Sequence, residues 1–363
     1  MKITFVMEGS FGLAGGDRVI ANYAEKLYQR GHEVLVIAAD PYKPVLKDQV
    51  RSLLKGKGWI PTNLSQPSHF DDKQVPHRLL EGRRPVADCD LPDADVVIAT
   101  WWETAEWVAN LSPAKGAKAY FIQGYEVFDH LPKHRVEATY RLPIHKITIS
   151  KWLMNILETR YGQKDIDLVP NSVDTDMFYA PKRTRQPQPT VGFVYSSLPC
   201  KGTDIVLKAY ALAKQRIPEL RLVGFGQGLV PDLPLPEGVE FVCKPPQTTL
   251  KDFYSKCDEE GFGLPILEAM ACRTPVIATP AGAAPEILSQ GGGMLVVPED
   301  PEAIARGIER ICQLSELEWQ ALSEAAYTIA TGYTLEQSVS LFEAALGKAV
   351  QSALATQPQA VAC

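Results

Sequence analysis

The sequence predicts two α/β domains, each built on a parallel sheet, and three observations carry that prediction. Short β-branched runs alternate with stretches of helical periodicity up to about residue 150, and the same alternation restarts at Thr190. Between them lies Pro181–Pro189, P-K-R-T-R-Q-P-Q-P, which has the composition of a linker. The chain of 363 residues also exceeds the ~250–300 residues at which single cores stop growing.

Taken in order, Ile3–Met7 is a buried strand, Gly9–Gly16 a glycine-rich loop, and Asp17–Arg30 a helix in which Val19, Ile20, Tyr23, Ala24 and Leu27 recur at helical spacing. Gly31 ends that helix and Glu33–Ala38 is the next strand, completing a βαβ unit. Asp95–Ala99, Ala119–Ile122 and Lys146–Ile149 are further strands of the sheet, while residues 40–93 carry no assignable pattern. Past the linker come strands Thr190–Tyr195, Arg221–Phe225, Val239–Val242, Pro275–Thr279 and Met294–Val297. Helices Thr203–Gln215, Thr248–Cys257, Pro265–Ala271 and Pro301–Gln313 alternate with them, and Ser315–Tyr333 and Leu335–Leu354 are amphipathic helices. The expected division is thus 1–180, a linker over 181–189, 190–334, a helix over 335–354 returning to the first domain, and a tail over 355–363.

A formal charge of −6 supplies no cationic field for nucleic acid. Seven cysteines without a C-x-x-C pair argue against a disulfide framework or a zinc knuckle, and the reducing cytoplasm is the expected compartment. Met1–Met7 is too short for a signal h-region, and no stretch reaches the ~20 apolar residues of a membrane span, which leaves at most a peripheral contact at the inner face of a membrane.

The chemistry concentrates in Glu260–Glu268, E-G-F-G-L-P-I-L-E. Pro265 is pre-organised to start a helix, so the free N–H groups of Phe262, Gly263 and Leu264 face an anion at the positive end of its dipole. Glu268, about one turn inside at ~5 Å along the axis, suits both hydroxyls of a ribose. Glu260, before the glycines, suits a sugar beyond the phosphates. The alternative is two surface glutamates around a Gly-Pro turn.

E-G-F-G-L-P-I-L-E-A-M-A resembles the glutamate-seven residues-glutamate motif of retaining, GT-B fold glycosyltransferases of the family 4 type, also described as glycosyl transferases group 1. Gly15-Gly16-Asp17-Arg18-Val19, Gly31-His32-Glu33-Val34, Ser150 with Trp152-Leu153, Pro170-Asn171-Ser172-Val173-Asp174 with Phe178, Lys201-Gly202, Thr279-Pro280-Ala281-Gly282 and Pro285-Glu286 are similar to its motifs, in the family's order. The resemblance implies two Rossmann-like, doubly wound domains facing across a cleft, the first on the acceptor side and the second on the nucleotide-sugar donor side. It implies that Lys201 neutralises the diphosphate leaving group, Glu268 binds ribose, Glu260 contacts the donor sugar and Gly16 lies at the donor. The implied reaction is hexosyl transfer from a UDP-, GDP-, ADP- or dTDP-sugar to a carbohydrate, lipid-linked or other hydroxyl acceptor, in polysaccharide or glycoconjugate synthesis. No metal or other cofactor is required. Four D-x-D pairs (Asp88/Asp90, Asp93/Asp95, Asp165/Asp167, Asp174/Asp176) read as caps and strand ends rather than metal ligands.

Two departures from the family pattern stand out. The family's glycine-arginine before lysine-glycine is replaced by Tyr195-Ser196, so one phosphate-binding arginine is absent and a cation such as Arg18 is a candidate replacement; Y-S-S here, with Tyr120–Glu126, is similar to rhamnosyltransferase-like relatives and hints at a deoxyhexose on dTDP. Helix Thr248–Cys257 is also followed almost at once by Glu259-Glu260, where the family has a buried strand. One residue cannot cross a sheet at ~3.3 Å per residue, so several residues are expected to be missing between Asp258 and Glu259.

Gly224-Phe225-Gly226-Gln227-Gly228 precedes three prolines, which rules out the helix of a nicotinamide site. Cys243-Lys244-Pro245 is either a nucleobase contact or an ordinary strand exit. Trp101-Trp102-Glu103 and Gln123-Gly124-Tyr125-Glu126 follow strands of the first domain, where aromatics beside carboxylates suit sugar faces and hydroxyls; packing is the alternative for the tryptophans. Trp101, Glu103 and Tyr125 are the acceptor candidates, and Glu126 is the candidate to orient or deprotonate the acceptor hydroxyl. A sugar-nucleotide epimerase of the same fold and a non-catalytic sugar-nucleotide-binding subunit are the rival readings.

Overall fold

A computed structural model of the chain describes residues 1–39, 46–56, 58–59, 67–80, 84–198, 201–257, 259–261 and 265–356. The chain forms two units. The first comprises Met1–Ile149, Leu153–Val169 and the residues from Val339 onward, and the second Ser150–Trp152 and Pro170–Ser338.

The first unit runs β1 (Lys2–Glu8), α1 (Gly15–Gln29), β2 (Glu33–Ala39), α2 (Leu46–Leu54), β3 (His77–Leu80), β4 (Val96–Ala99), α3 (Trp102–Ala109), β5 (Ala117–Ile122), α4 (Lys133–Thr139), β6 (His145–Thr148), α5 (Lys151–Tyr161) and β7 (Ile166–Leu168). Its seven strands are all parallel in the order β3-β2-β1-β4-β5-β6-β7. Strands such as V-V-I-A are buried at every residue because helices cover both faces of a parallel sheet, which is why they read as unbroken apolar runs. Residues 40–93 contribute α2 and the edge strand β3, whose short, largely exposed H-R-L-L gives no burial pattern to read.

The second unit runs β8 (Thr190–Tyr195), α6 (Thr203–Arg216), β9 (Arg221–Gly226), β10 (Glu240–Cys243), α7 (Leu250–Ser255), β11 (Glu259–Gly261), α8 (Pro265–Ala271), β12 (Val276–Ala278), α9 (Ala284–Leu288), β13 (Gly293–Leu295), α10 (Pro301–Gln313) and α11 (Glu316–Thr331). Its six strands, again parallel, are ordered β10-β9-β8-β11-β12-β13. On one face Val206, Ala209 and Ala213 of α6 meet Ile304, Ala305 and Ile308 of α10; on the other, Met270 and Ala271 of α8 meet Ala326 and Ala330 of α11. Asp300 caps α10 by accepting from the Ala303 N–H at 3.0 Å. Asp300→Ala is expected to cost about 1 kcal/mol of stability, checked by denaturant unfolding, because that amide then loses its acceptor.

One expectation is corrected here, and another, that residues are missing between Asp258 and Glu259, turns on Asp258, which lies outside the described residues. The segment 181–189 is anchored rather than linking, because its cations bond to carbonyls and hydroxyls of the second unit. Arg183 Nη2 donates to the Cys257 carbonyl at 2.6 Å and to Thr274 Oγ1 at 2.9 Å, with its guanidinium 4.9 Å from the Trp319 ring, and Arg185 Nη1 donates to the Cys312 carbonyl at 2.9 Å. The chain passes between units at 149/150, 152/153, 169/170 and 338/339. The internal strand of the second sheet is also present. Glu259–Gly261 fills that place, pairing Glu260 with Gly192 of β8 and Val276 of β12. A Cβ on Gly192 would lie 2.5 Å from Cys257 Sγ, so Cys257, which follows α7, packs closely on β8. Asp258 itself lies outside the described residues.

The last helix, α12 (Leu335–Thr356), belongs to the first unit from Val339 onward. Val339, Phe342, Leu346 and Ala349 are buried at helical spacing. The Phe342 ring lies 5.1 Å from Tyr23 and 5.0 Å from Phe121, and Arg30 Nη1 and His32 Nε2 meet Glu343 at 2.6 and 2.9 Å.

Candidate active site

Both sheets reverse strand order once, between β1 and β4 in the first unit and between β8 and β11 in the second. Ligands of doubly wound sheets bind beyond the carboxyl ends of the strands at such a switch point. Gly16 follows β1, Trp101 follows β4 and Lys201 follows β8, so these candidates lie at the switch points of their own units, whereas Glu260 lies within β11, level with Gly192 of β8.

In the second unit, Glu268 lies in α8 and is 6% exposed. The Tyr254 hydroxyl, from α7, donates to Glu268 Oε2 at 2.9 Å and orients the carboxylate. Burial, and then the Glu268 charge, push the neighbouring Cys272 thiol up to about 12. Phe262, Gly263 and Leu264 lie outside the described residues, and Glu260 is placed by its backbone alone.

Lys201 occupies a tight turn, its N–H donating to the Leu198 carbonyl at 2.9 Å, immediately before α6. Gly202 adopts φ +64, a left-handed conformation that glycine takes without penalty, and this puts the lysine at the helix start. Thr203 holds the loop: its Oγ1 accepts from the Ser196 N–H at 3.0 Å and donates to the Ser196 carbonyl at 2.8 Å. Lys201 is exposed, and among the described residues its ammonium makes no ion pair. Ser196, at the position of the family's arginine, accepts from the Leu198 N–H with its hydroxyl and supplies no charge. Cys243 and Lys244 are exposed at the end of β10, where Lys244 takes φ 48 and its N–H donates to the Gly226 carbonyl at 2.8 Å.

In the first unit, Gly16 lies in the first turn of α1 and its carbonyl accepts weakly from Gln123 Nε2 at 3.5 Å, linking the loops after β1 and β5. The adjacent Asp17 accepts from the backbone of Gly12 and Ala14, and burial pushes its carboxyl up to about 6. Arg18 is near His69, whose imidazole lies below its ordinary value, chiefly through burial and with Arg18 contributing. Trp101 and Glu103 are half-buried at the start of α3, whereas Trp102 is core, 3% exposed beneath the Arg135 guanidinium at 4.8 Å. Tyr125 is half-buried, its hydroxyl 2.8 Å from that of Tyr161 and its ring stacked on Tyr140.

Glu126, the candidate to orient or deprotonate the acceptor hydroxyl, is buried in the first unit. It is 2% exposed, and its Oε2 accepts from the Trp102 N–H at 2.9 Å and the Tyr120 hydroxyl at 3.0 Å. The residue's own N–H donates to the Tyr140 hydroxyl at 2.9 Å. Burial pushes its carboxyl up to about 8, against the downward pull of those two donors. Through the first N–H of α3 this carboxyl holds the start of the Trp101–Glu103 segment.

The roles of Tyr254, Thr203 and Asp17 were not legible in the sequence. Asp17 stands inside the Gly15–Val19 motif and Thr203 directly follows Lys201-Gly202, but Tyr254 lies fourteen positions from Glu268 and has no local signal. Most D-x-D aspartates have partners that account for them: Asp90 pairs with Arg84 at 2.5 Å, Asp88 accepts from the Ser112 N–H, Asp93 meets Lys115 at 2.9 Å, Asp95 accepts from the Lys2 N–H, Asp167 meets His145 at 2.8 Å, and Asp174 accepts from the Asp176 N–H. Among the described residues no cluster of histidine, cysteine and carboxylate ligands forms a metal site, and no helix is long and apolar enough to cross a membrane.

Residues 178–328 match the family described as Glycosyl transferases group 1, which is less than half of the chain. The D-inositol 3-phosphate glycosyltransferase of Nocardiopsis dassonvillei is 29% identical over 229 residues, covering 52% of this chain and 53% of that protein. The chain spans about half the length of the sequence relatives it matches. Among solved structures, Anabaena HepE (Alr3699) in complex with UDP superposes with TM-score 0.70 at 18% identity, over 96% of this chain and 100% of that one. Sucrose-phosphate synthase from Thermosynechococcus elongatus gives TM-score 0.69 at 16% identity, over 98% and 100%. The fold is that of the GT-B glycosyltransferases.

Proposed function

We propose that this protein transfers a hexosyl group from a nucleotide-diphosphate sugar to a hydroxyl acceptor, carbohydrate or lipid-linked, with retention of anomeric configuration and in the service of polysaccharide or glycoconjugate synthesis. The observation that carries the reading is the switch point of the second unit, where an exposed lysine without an ion pair among the described residues and a buried, tyrosine-anchored carboxylate stand on the two elements that flank it. Lys201 takes the charge that grows on the departing diphosphate, and the start of α8 supplies N–H groups to the same phosphates. Glu268 accepts from the ribose hydroxyls and Glu260 from the donor sugar. On this reading no metal or other cofactor is needed, and a cytoplasmic setting agrees with the cysteine usage. The match over residues 178–328 and the UDP held by a neighbour of the same fold support the donor class.

Thermal-shift titration with UDP-, GDP-, ADP- and dTDP-sugars tests the reading, because a true donor raises the melting temperature by mass action. Glu268→Ala is expected to weaken the stabilising nucleotide about 10–100-fold through loss of charge-assisted hydrogen bonds, while Glu260→Ala keeps the affinity and lowers turnover. Equal loss of affinity in both variants contradicts that division of roles. Ser196 in place of the family's arginine favours one second reading, a sugar-nucleotide-binding subunit without turnover, which stabilisation by a donor without slow donor hydrolysis identifies.

A further inference from the structure

A diphosphate carries more negative charge than one ammonium neutralises. The segments that leave the carboxyl ends of the second unit's strands are 196–202, 227–239, 244–249, 262–264, 279–283 and 296–300. Between them they hold two cationic side chains, Lys201 and Lys244. Both are exposed, and among the described residues neither ammonium makes an ion pair.

The backbone fixes where Lys244 stands. It takes φ 48, although its β-carbon disfavours the left-handed region and the following Pro245 favours extended backbone. Strain of this kind persists where surrounding contacts over-determine it, and it gathers at functional sites. Here the Lys244 N–H donates to the Gly226 carbonyl at 2.8 Å. Gly226 of β9 lies level with Tyr195 of β8 and with Cys243 of β10. A Cβ on Gly226 would lie 2.5 Å from the Tyr195 carbonyl oxygen, so glycine permits the close approach of β9 to β8 there. The Tyr195 hydroxyl ties down the loop after β9 as well, donating to the Leu233 carbonyl at 2.9 Å and accepting from the Val230 N–H at 3.1 Å. Lys244 and the uncharged Ser196 are thus the first residues beyond one level of the sheet, two strand spacings or about 10 Å apart. We infer that Lys244 is the second cation of the diphosphate site, meeting the phosphate joined to the nucleoside while Lys201, nearer the switch point, meets the phosphate joined to the sugar. The inference rests on the transferase reading and makes Lys244 a phosphate contact rather than a nucleobase contact.

Calorimetric titration of the full chain with UDP, GDP, ADP and dTDP, and with the matching nucleosides, tests it. Lys244→Gly relieves the strained backbone and removes the charge, so an affinity that falls in this variant is lost with the ammonium and not with the turn. It is expected to weaken the diphosphate that binds the wild type about 10–50-fold and to leave the nucleoside unchanged. Adding Ser196→Arg to Lys244→Gly returns a cation at the same level of the sheet and should recover most of that loss, with the ligand-free melting temperature unchanged. Equal loss of nucleoside and diphosphate affinity would assign Lys244 to the base and overturn the inference, as would a double variant that folds but stays as weak as Lys244→Gly. If no diphosphate binds the wild type, the transferase reading itself fails; if one binds wild type and Lys244→Gly alike, only the role of Lys244 fails.

Discussion

Lys201→Ala is expected to lower kcat for sugar transfer about 100–1000-fold, the range found when a donor aimed at transition-state charge is removed. Leaving-group charge develops on the diphosphate as the bond to the sugar breaks, so the ammonium interacts more strongly with the transition state than with bound donor, and the loss falls chiefly on kcat. Gly202 at φ +64 and Thr203 clamping Ser196 give the loop one geometry, so the lysine is delivered pre-organised at the start of α6. With Ser196 uncharged, fewer cations share the task and the loss should lie toward the upper end of that range. Nucleotide affinity, read by thermal shift, should fall only about tenfold. Lys201→Arg restores part of the turnover because the charge remains. Retention of more than half the turnover in Lys201→Ala would overturn the leaving-group role.

Glu126→Gln is expected to remove a pH-dependent instability of the first unit. Burial raises the folded carboxyl from 4.5 to about 8, so between those values the folded chain holds a proton that the unfolded chain has lost. Unfolding stability therefore falls as pH rises through that window; the contribution is full below about 4.5 and gone above about 8. At 1.36 kcal/mol per pH unit the swing is roughly 3–5 kcal/mol. Glutamine keeps an acceptor for the Trp102 N–H and the Tyr120 hydroxyl and cannot ionise. The variant should gain on the wild type steadily from pH 5 to pH 8.5 in denaturant unfolding, and the difference between the two cancels other titrating groups such as Asp17. A difference constant with pH would mean that the carboxyl is not held protonated.

Local pattern carried most of the fold. The apolar runs of β1, β2, β4 and β5 and the periodicity of α1, α6 and α10 were legible because burial on a parallel sheet or one helix face writes itself into consecutive residues. Strands β3 and β7 were not, being short and lacking buried residues. The candidate site was legible where loop chemistry is local, as in Lys201-Gly202 and the Glu260–Glu268 run. It was illegible where a partner comes from another element, as Tyr254 does for Glu268.

The sequence by itself determined the class of the long, strongly patterned elements and the division into two α/β halves, since both follow from spacing along the chain. Only the tertiary structure decided that Glu126 faces inward, because burial depends on Tyr120, Trp102 and Tyr140 converging from β5, α3 and the end of α4. It also decided that Glu259–Gly261 takes the place of an internal strand, since the pairing with β8 and β12 is not written in these three residues. The outward face of α2 was decided there as well: residues 40–93 carry no assignable pattern, and only the fold specifies that Leu46, Val50, Leu53 and Leu54 lie on its exposed side.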